Sequence, residues 1–361
     1  MGEKRWRREE MRRVVVGMVA LLFALSVILG GCGQGGPQGS QPSNGNQGAT
    51  DAGTSGEAGK EQEKTFKIGL TQIVEHPALD AIRQGILKGL EEHGFTEGKN
   101  LVIDYQNAQN DRNNATNIAQ KFVAEKVDLI IAITTPSAQA AAQATKEIPI
   151  VFSAVTDPVA AGLVAAFDRP GENITGTSDL VPISRQVELM QKFLPNLKTI
   201  GIVYNSGEVN AEVQVKEAEK AAQEKGIKVE ALGVSNNTEI QQAAESLAGK
   251  IDAYLVLVDN MIVAGFDTLQ QVAEKAKIPV FASDSDTVKR GAVATYGLDQ
   301  FQIGVQTGVM ASRILRGESP KNIPVEVLKE VSLTVNPDAV KKYGLTLSDE
   351  LKKEMEKTQA K

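Results

Sequence analysis

Short apolar runs alternate with amphipathic segments along most of this chain. Each apolar run between turn-forming residues predicts a β-strand, and each segment with apolar positions three or four residues apart predicts a helix. Strands are predicted near 66–70, 101–105, 128–133, 149–152, 174–177, 199–204, 227–232, 253–258, 279–281 and 292–296. Helices are predicted near 77–93, 112–125, 137–146, 209–225, 238–248, 262–276 and 299–316, with a charged helical tail from Ser348. This alternation indicates parallel sheets with helices on both faces.

The chain contains an internal repeat, in which similar segments occur twice in the same order. Three segments of the first half have counterparts in the second: 67–70 in 199–202, 126–131 in 250–255, and 148–152 in 278–281. These offsets of 124 to 132 residues correspond to a whole domain rather than to a solenoid unit. The predicted fold class is therefore α/β, with two similar Rossmann-like lobes on parallel sheets, a hinge, and a cleft between them.

The N-terminus has the features of a targeting segment. A basic start precedes an uncharged apolar run over 14–29, which suits a signal peptide and is short for a membrane-spanning helix. The run ends at Gly30-Gly31-Cys32, which resembles a bacterial lipobox and predicts lipidation of Cys32; the alternative is an uncleaved membrane anchor. Cys32 is the only cysteine, so no disulfide forms within the chain. The glycine-rich stretch that follows it lacks Val, Ile, Leu and aromatic residues and predicts a flexible tether.

The domain organisation follows from these patterns. The helix near 299–316 is expected to pack back on the first lobe, and its Gly304 and Gly308 indicate close helix packing rather than a phosphate loop. The predicted divisions are a lipoprotein signal peptide (1–31), a lipid-anchored linker (32–64), lobe 1 (65–178 plus 297–320), lobe 2 (179–296 plus 321–340) and a charged C-terminal helix (341–361).

Charge and motifs exclude several classes of function. The formal net charge is −6, the first 31 residues contribute +3, and the remaining −9 argues against a nucleic-acid partner. No nucleophile elbow, Walker loop or dinucleotide-binding glycine motif follows a predicted strand. The two histidines, His76 and His93, have no cysteine partners for a zinc site. We expect no catalytic residues, metal or cofactor.

Polar residues gather where the predicted strands end. Ligands of open parallel sheets lie beyond the carboxyl ends of the strands. The candidate ligand-binding residues at these ends are Thr71, Gln72, Thr135, Ser137, Ser153, Thr156, Asp157, Ser178, Asn205, Asn260 and Asp284.

Chemistry suggests roles for four of them, each with an ordinary structural alternative. Thr135 and Ser137 stand at a helix start, where free N–H groups favour a carboxylate, but such residues also simply cap helices. Asp157 and Asp284 are suited to hold an ammonium group, but Asp-Pro and Ser-Asp are common turn formers.

Several longer segments of the sequence resemble those of a known family. The segments 152–164, 173–179 and 289–297, together with the Gln306-Thr307-Gly308 helix, resemble the ABC-type substrate-binding lipoproteins whose better-known members are assigned to tryptophan or tyrosine uptake. The resemblance covers about 66–335. It implies a type I periplasmic-binding fold with three crossovers between the lobes. It also implies a lipid-anchored, monomeric protein on the extracytoplasmic face of the membrane. Such a protein catches a small amino acid and presents it to an ABC permease and its ATPase.

Three functions and several ligands remain open at this point. A membrane-anchored sensory protein would share the cleft and the anchor, and an extracellular enzyme would need a nucleophile–base pair or metal cluster that the sequence does not contain. The ligand is expected to be an aromatic L-amino acid, with branched-chain amino acids and other solutes as alternatives.

Overall fold

The computed structural model describes residues 64–359, with side chains up to Glu356. The predicted signal peptide, the lipidation site at Cys32 and all but the last residue of the predicted linker lie outside the described residues. Within residues 64–359, no helix is both long and apolar enough to cross a bilayer.

Strands and helices alternate along the described chain. The strands are β1 Phe66–Gln72, β2 Leu101–Asn107, β3 Leu129–Ile133, β4 Ile150–Ser153, β5 Ile174–Ser178, β6 Thr199–Asn205, β7 Lys228–Val234, β8 Ala253–Val256, β9 Val280–Ala282, β10 Ala294–Leu298, β11 Glu326–Val327 and β12 Val331–Val335. The helices are α1 Pro77–Glu92, α2 Arg112–Ala124, α3 Thr135–Ala144, α4 Ile183–Phe193, α5 Val209–Gln223, α6 Ile240–Ala248, α7 Asn260–Ala264, α8 Phe266–Ala276, α9 Ser285–Lys289, α10 Gln300–Leu315, α11 Pro337–Lys342 and α12 Asp349–Gln359.

These elements build two lobes. Lobe 1 contains a parallel sheet in the order β11-β5-β4-β3-β1-β2, and lobe 2 contains a parallel sheet in the order β7-β6-β8-β9. A small antiparallel pair, β10 with β12, adds to lobe 2. Every residue of the central strands β3 and β8 is buried, because helices cover both faces, and their sequences are continuously apolar for that reason. The predicted α/β class is confirmed.

The described chain passes between the lobes three times. Residues 179–182 lead from β5 to α4, Asp299 separates β10 from α10, and residues 328–330 join β11 to β12. Helix α4 packs in the core of lobe 2 and α10 in that of lobe 1. We therefore define lobe 1 as 64–178 plus 300–327 and lobe 2 as 183–298 plus 331–359.

The lobe boundaries differ from the predicted ones at three points: 297–298 belong to β10 in lobe 2, β11 belongs to lobe 1, and the C-terminal helix α12 packs on lobe 2. The sequence placed 321–340 in lobe 2, whereas β11 pairs with β5 and extends the lobe 1 sheet. The predicted helix over 262–276 is two helices, because the chain ends α7 at Gly265 before α8 begins. Helices α4, α9 and α11 and strands β11 and β12 were not predicted.

Helix α10 packs on α1 of lobe 1 through glycines on both helices. A Cβ atom on Gly304 would lie 2.0 Å from the Ile82 carbonyl oxygen, and one on Gly308 would lie 2.4 Å from that of Ile86. Gly85 and Gly89 are equally close to the backbone of α10. As the sequence predicts, these glycines serve close helix packing, and they fix α10 against α1.

Candidate functional site

The carboxyl ends of the strands of both lobes border one cavity. Lobe 1 contributes His76, Ala78, Leu79, Ile82, Thr134, Thr135, Ala154, Thr156 and Gln300, the first crossover contributes Asp179, and lobe 2 contributes Asn210, Val258, Asp259, Asn260, Val263 and Asp284. The cavity volume between these residues is about 30 Å³, far below that of an occupied small-molecule site, so a ligand requires the two lobes to move apart. We call this cavity the cleft.

The start of α3 forms one wall of the cleft. Thr134, the residue before the helix, has a φ of 77° and makes no side-chain cap to it. The hydroxyl oxygens of Thr134 and Ser137 are buried and have no hydrogen-bond partner among the described residues. A helix N-terminus with free N–H groups favours an anion. This wall is therefore suited to a carboxylate.

Backbone strain marks the same side of the cleft. Thr134 and Ala154 both have positive φ, at 77° and 52°, and each follows a strand of lobe 1. Residues other than glycine adopt this backbone conformation at a cost of about 1–3 kcal/mol. The strain turns the backbone of the two neighbouring strand ends at the point where both border the cleft.

Asp179 is a buried carboxyl at the cleft, in the crossover where the chain leaves lobe 1. It follows β5, is 6% exposed, and its Oδ1 has no hydrogen-bond partner among the described residues. Burial raises the pKa of Asp179 to about 6, partly offset by a hydrogen bond from Thr156. The neighbouring Ser178 hydroxyl donates to the Thr156 carbonyl at 2.9 Å and so holds the loop. A cationic group beside Asp179 would stabilise its ionised form.

Lobe 2 presents an amide and carboxylate network. Glu208 is buried and accepts hydrogen bonds from the side-chain amides of Asn205 at 3.0 Å, Asn210 at 3.1 Å and Asn260. Asp259 accepts from the backbone N–H of Asn205 at 2.6 Å and caps α7. Burial, and then the adjacent Glu208, raise the pKa of Asp259 well above its usual range. The network fixes Asn210 and Asn260 at the cleft.

Asp284 lies at the start of α9 in lobe 2. Its two carboxylate oxygens accept from the Thr287 N–H at 2.8 Å and the Thr287 hydroxyl at 2.6 Å. Burial raises the pKa of Asp284. Asp284 therefore caps its helix and borders the cleft at once.

Aliphatic side chains complete the lining. Leu79 and Ile82 on α1 and Val258 and Val263 from lobe 2 supply apolar surface. Of the described residues, the imidazole of His76 is the only ring in this lining. Burial, with a smaller contribution from the positive charge of Arg290, lowers the pKa of His76 to about 4, so the imidazole is neutral at pH 7.

The structure brings together four of the residues predicted from the sequence. Thr135, Thr156, Asn260 and Asp284 line the cleft. Five others are buried at the strand ends of lobe 1 without lining it, namely Thr71, Gln72, Ser137, Ser153 and Ser178.

Two predicted residues lie elsewhere. The Asp157 carboxylate accepts from the N–H groups of Val159 and Ala160 at 3.0 and 2.9 Å, which is the turn role given as its alternative. Asn205 borders a separate cavity of about 230 Å³, which Arg112 also lines.

Sequence reasoning did not select His76, Thr134, Asp179, Asn210 or Asp259. For Asp179 and Asp259 a signal existed, because Asp259 directly follows a predicted strand and Asp179 comes two residues after another. For Asn210, which lies inside a helix, no local pattern marks the residue.

The chain resembles proteins of known function along nearly its whole described length. A family model described as ABC transporter substrate binding protein matches residues 67–359. The tyrosine-binding protein of Clostridioides difficile (strain R20291) is 44% identical over 281 residues, which make up 78% of this chain and 81% of that protein.

Two solved structures are informative as a pair. The ABC domain from Streptococcus pneumonia in complex with L-Trp is 37% identical, covers 81% of this chain and 98% of its own, and has a TM-score of 0.79. The ligand-free, open structure of a substrate binding protein with adhesive properties from Clostridium difficile is 46% identical, covers 79% and 97%, and has a TM-score of 0.62. The open structure has the higher sequence identity to this chain, whereas the L-Trp complex has the higher TM-score.

These neighbours confirm the predicted two-lobed fold of type I periplasmic-binding proteins. Since the family match extends over residues 67–359, this protein belongs to the ABC transporter substrate-binding protein family.

Proposed function

We propose that this protein captures an aromatic L-amino acid, tyrosine or tryptophan, in the cleft and delivers it to the permease of an ABC importer. The observation that carries the proposal is the pairing of two sites on one cavity. Asp179 offers a buried carboxyl with an unpartnered oxygen, and α3 begins beside Thr134 with N–H groups that have no carbonyl partner within the helix. An α-amino acid has an ammonium and a carboxylate, which match these two sites.

The remainder of the cleft supports a large apolar side chain. Leu79, Ile82 and Val263 form an aliphatic surface against which an aromatic ring can pack. The relatives support the same class of ligand, because one is named a tyrosine-binding protein and another was solved in complex with L-Trp. Family membership favours an importer over a sensory protein or an enzyme.

The N-terminal sequence supports attachment to the extracytoplasmic face of the membrane. The apolar run over 14–29 and the lipobox-like Gly30-Gly31-Cys32 are typical of bacterial lipoproteins, and the following glycine-rich stretch is long enough to tether a folded body. Metabolic labelling with a radioactive fatty acid tests the anchor. Label on the wild-type protein but not on Cys32→Ala is expected, and label on both would contradict it.

Isothermal titration calorimetry of the purified protein tests the ligand. We expect L-tyrosine or L-tryptophan to bind with one site per chain, and leucine, isoleucine and valine to bind at least about tenfold more weakly, because they lose the ring's apolar contact. At 100 times its dissociation constant, the ligand should add about 2.7 kcal/mol to the free energy of unfolding. Absence of binding by every aromatic amino acid would contradict the proposal.

A further inference from the structure

His76 is a buried side chain of the cleft that caps no helix. It precedes the first residue of α1, where a side chain often caps the helix, but it makes no such bond. It is 8% exposed, and its Nδ1 is buried without a hydrogen-bond partner among the described residues. A buried polar atom without a partner is uncommon and costs about 1–3 kcal/mol.

The surroundings of His76 give it a defined chemical character. Its pKa is lowered to about 4, first by burial and then by Arg290, with Asp286 acting in the opposite direction. A neutral imidazole has one N–H donor and one acceptor nitrogen. It therefore suits a partner that is itself neutral and carries an O–H or N–H group.

Its neighbours place this group on the apolar side of the cleft. Ala78, Leu79 and Ile82 follow His76 on α1 and line the same cavity. An ammonium at Asp179 and a carboxylate at the start of α3 leave the ligand's side chain to this aliphatic wall. At neutral pH, the phenol of tyrosine and the indole N–H of tryptophan are uncharged donors on a ring, and phenylalanine has none.

We propose that His76 is the specificity residue of the cleft, selecting an aromatic amino acid whose ring carries an O–H or N–H donor over phenylalanine. The inference rests on the proposed function, because it assumes an aromatic amino acid in the cleft. A site that hydrogen-bonds a ligand group rejects the analogue without that group, because the polar atom of the site is then left unpaired.

The test compares L-tyrosine with L-phenylalanine, which differ by one hydroxyl. Calorimetry of the wild-type protein should give a tyrosine preference of about 10- to 100-fold. His76→Leu and His76→Phe should reduce that ratio to within about threefold, chiefly by weakening tyrosine. His76→Gln, which keeps hydrogen-bonding groups without the ring, should retain part of the preference.

The chain offers a matched control at the other end of the same helix. His93, whose Nδ1 lies 2.9 Å from the Gly89 carbonyl oxygen, does not border the cleft. His93→Leu should leave the tyrosine-to-phenylalanine ratio unchanged, and thermal melting confirms that each variant is folded. An unchanged ratio in His76→Leu and His76→Phe, or a wild-type protein without preference, would overturn the inference. Absence of binding by any aromatic amino acid would instead overturn the proposed function.

Discussion

The Asp179 carboxyl is buried and has an unpartnered oxygen. We expect it to strengthen ligand binding and to lower the stability of the ligand-free protein. Its pKa rises from 3.8 to about 6 on burial. Between these values the folded state holds a proton that the unfolded chain has lost, so stability falls as pH rises. The stabilising effect of this group is complete below about pH 4 and is lost above about pH 6. The empty protein at neutral pH therefore carries a cost that a bound ammonium relieves.

Asp179→Asn should separate these two effects. We expect the ligand-free variant to gain about 1–3 kcal/mol in free energy of unfolding at pH 7, because the amide has no ionisation to suppress. We expect its ligand affinity to fall by about 1.5–3 kcal/mol, because the charge-assisted bond to the ammonium is lost. Denaturant unfolding and calorimetry measure the two quantities.

The control for this residue is Asp157→Asn. The Asp157 carboxylate closes a turn and does not line the cleft. The ligand affinity of this variant should stay within about twofold of wild type. The ammonium assignment fails if Asp179→Asn binds the ligand as tightly as the wild-type protein.

Among the elements, the packing of α10 on α1 holds the end of lobe 1 that borders the cleft. Gly304→Ala would place a methyl group 2.0 Å from the Ile82 carbonyl oxygen, so the two helices must move apart. Overpacking of this kind costs about 1–3 kcal/mol or more. Thermal unfolding should show a lowered midpoint, and affinity should fall as well, because Ile82 lines the cleft.

Gly249→Ala is the matched control for the helix contact. A Cβ atom there has no neighbour within 4 Å, and the φ of Gly249 is −83°. The variant should unfold within about 0.5 kcal/mol of wild type. Equal melting temperatures for Gly304→Ala and wild type would contradict the close contact between α10 and α1.

The elements also show what the sequence reveals. Strands such as β3 were predictable because burial on both faces demands a continuous apolar run, and duplication identified the second lobe. Helix α4 was missed although Ile183, Val187 and Met190 have helical spacing. The short strand β11 gives no periodic signal, and only its pairing with β5 assigns it to lobe 1.

The site was less predictable than the fold for a physical reason. A polar strand end can bind a ligand, cap a helix or close a turn, and the sequence is the same in all three cases. Asp284 caps α9 and borders the cleft, Asp157 closes a turn, and Asp179 is left with an unpartnered oxygen. Tertiary packing, which decides burial and pairing, separates these roles.

At the scale of the whole molecule, a hydrogen bond joins the lobes beside the cleft. Arg112, at the start of α2 in lobe 1, donates from Nη1 to the Gly207 carbonyl of lobe 2 at 2.8 Å. The Gly207 N–H in turn donates to the Asn205 side chain, which bonds Glu208 in the network behind Asn260. Because this bond spans the two lobes, we expect it to break when they separate.

Arg112→Met should therefore weaken ligand binding without removing a contact to the ligand. A hinged protein closes around its ligand, and any bond made only when closed slows the ligand's escape. The bond is solvent-exposed, so we expect the dissociation rate to rise about two- to fivefold, with little change in association. Stopped-flow measurement of ligand binding and release gives both rates. Small-angle scattering should show that more ligand is needed to reach the smaller radius of gyration.

Arg316→Met is the control. Arg316 donates to the His93 carbonyl within lobe 1, so its replacement should leave both rates unchanged. A wild-type dissociation rate in Arg112→Met would show that this bond contributes nothing to closure.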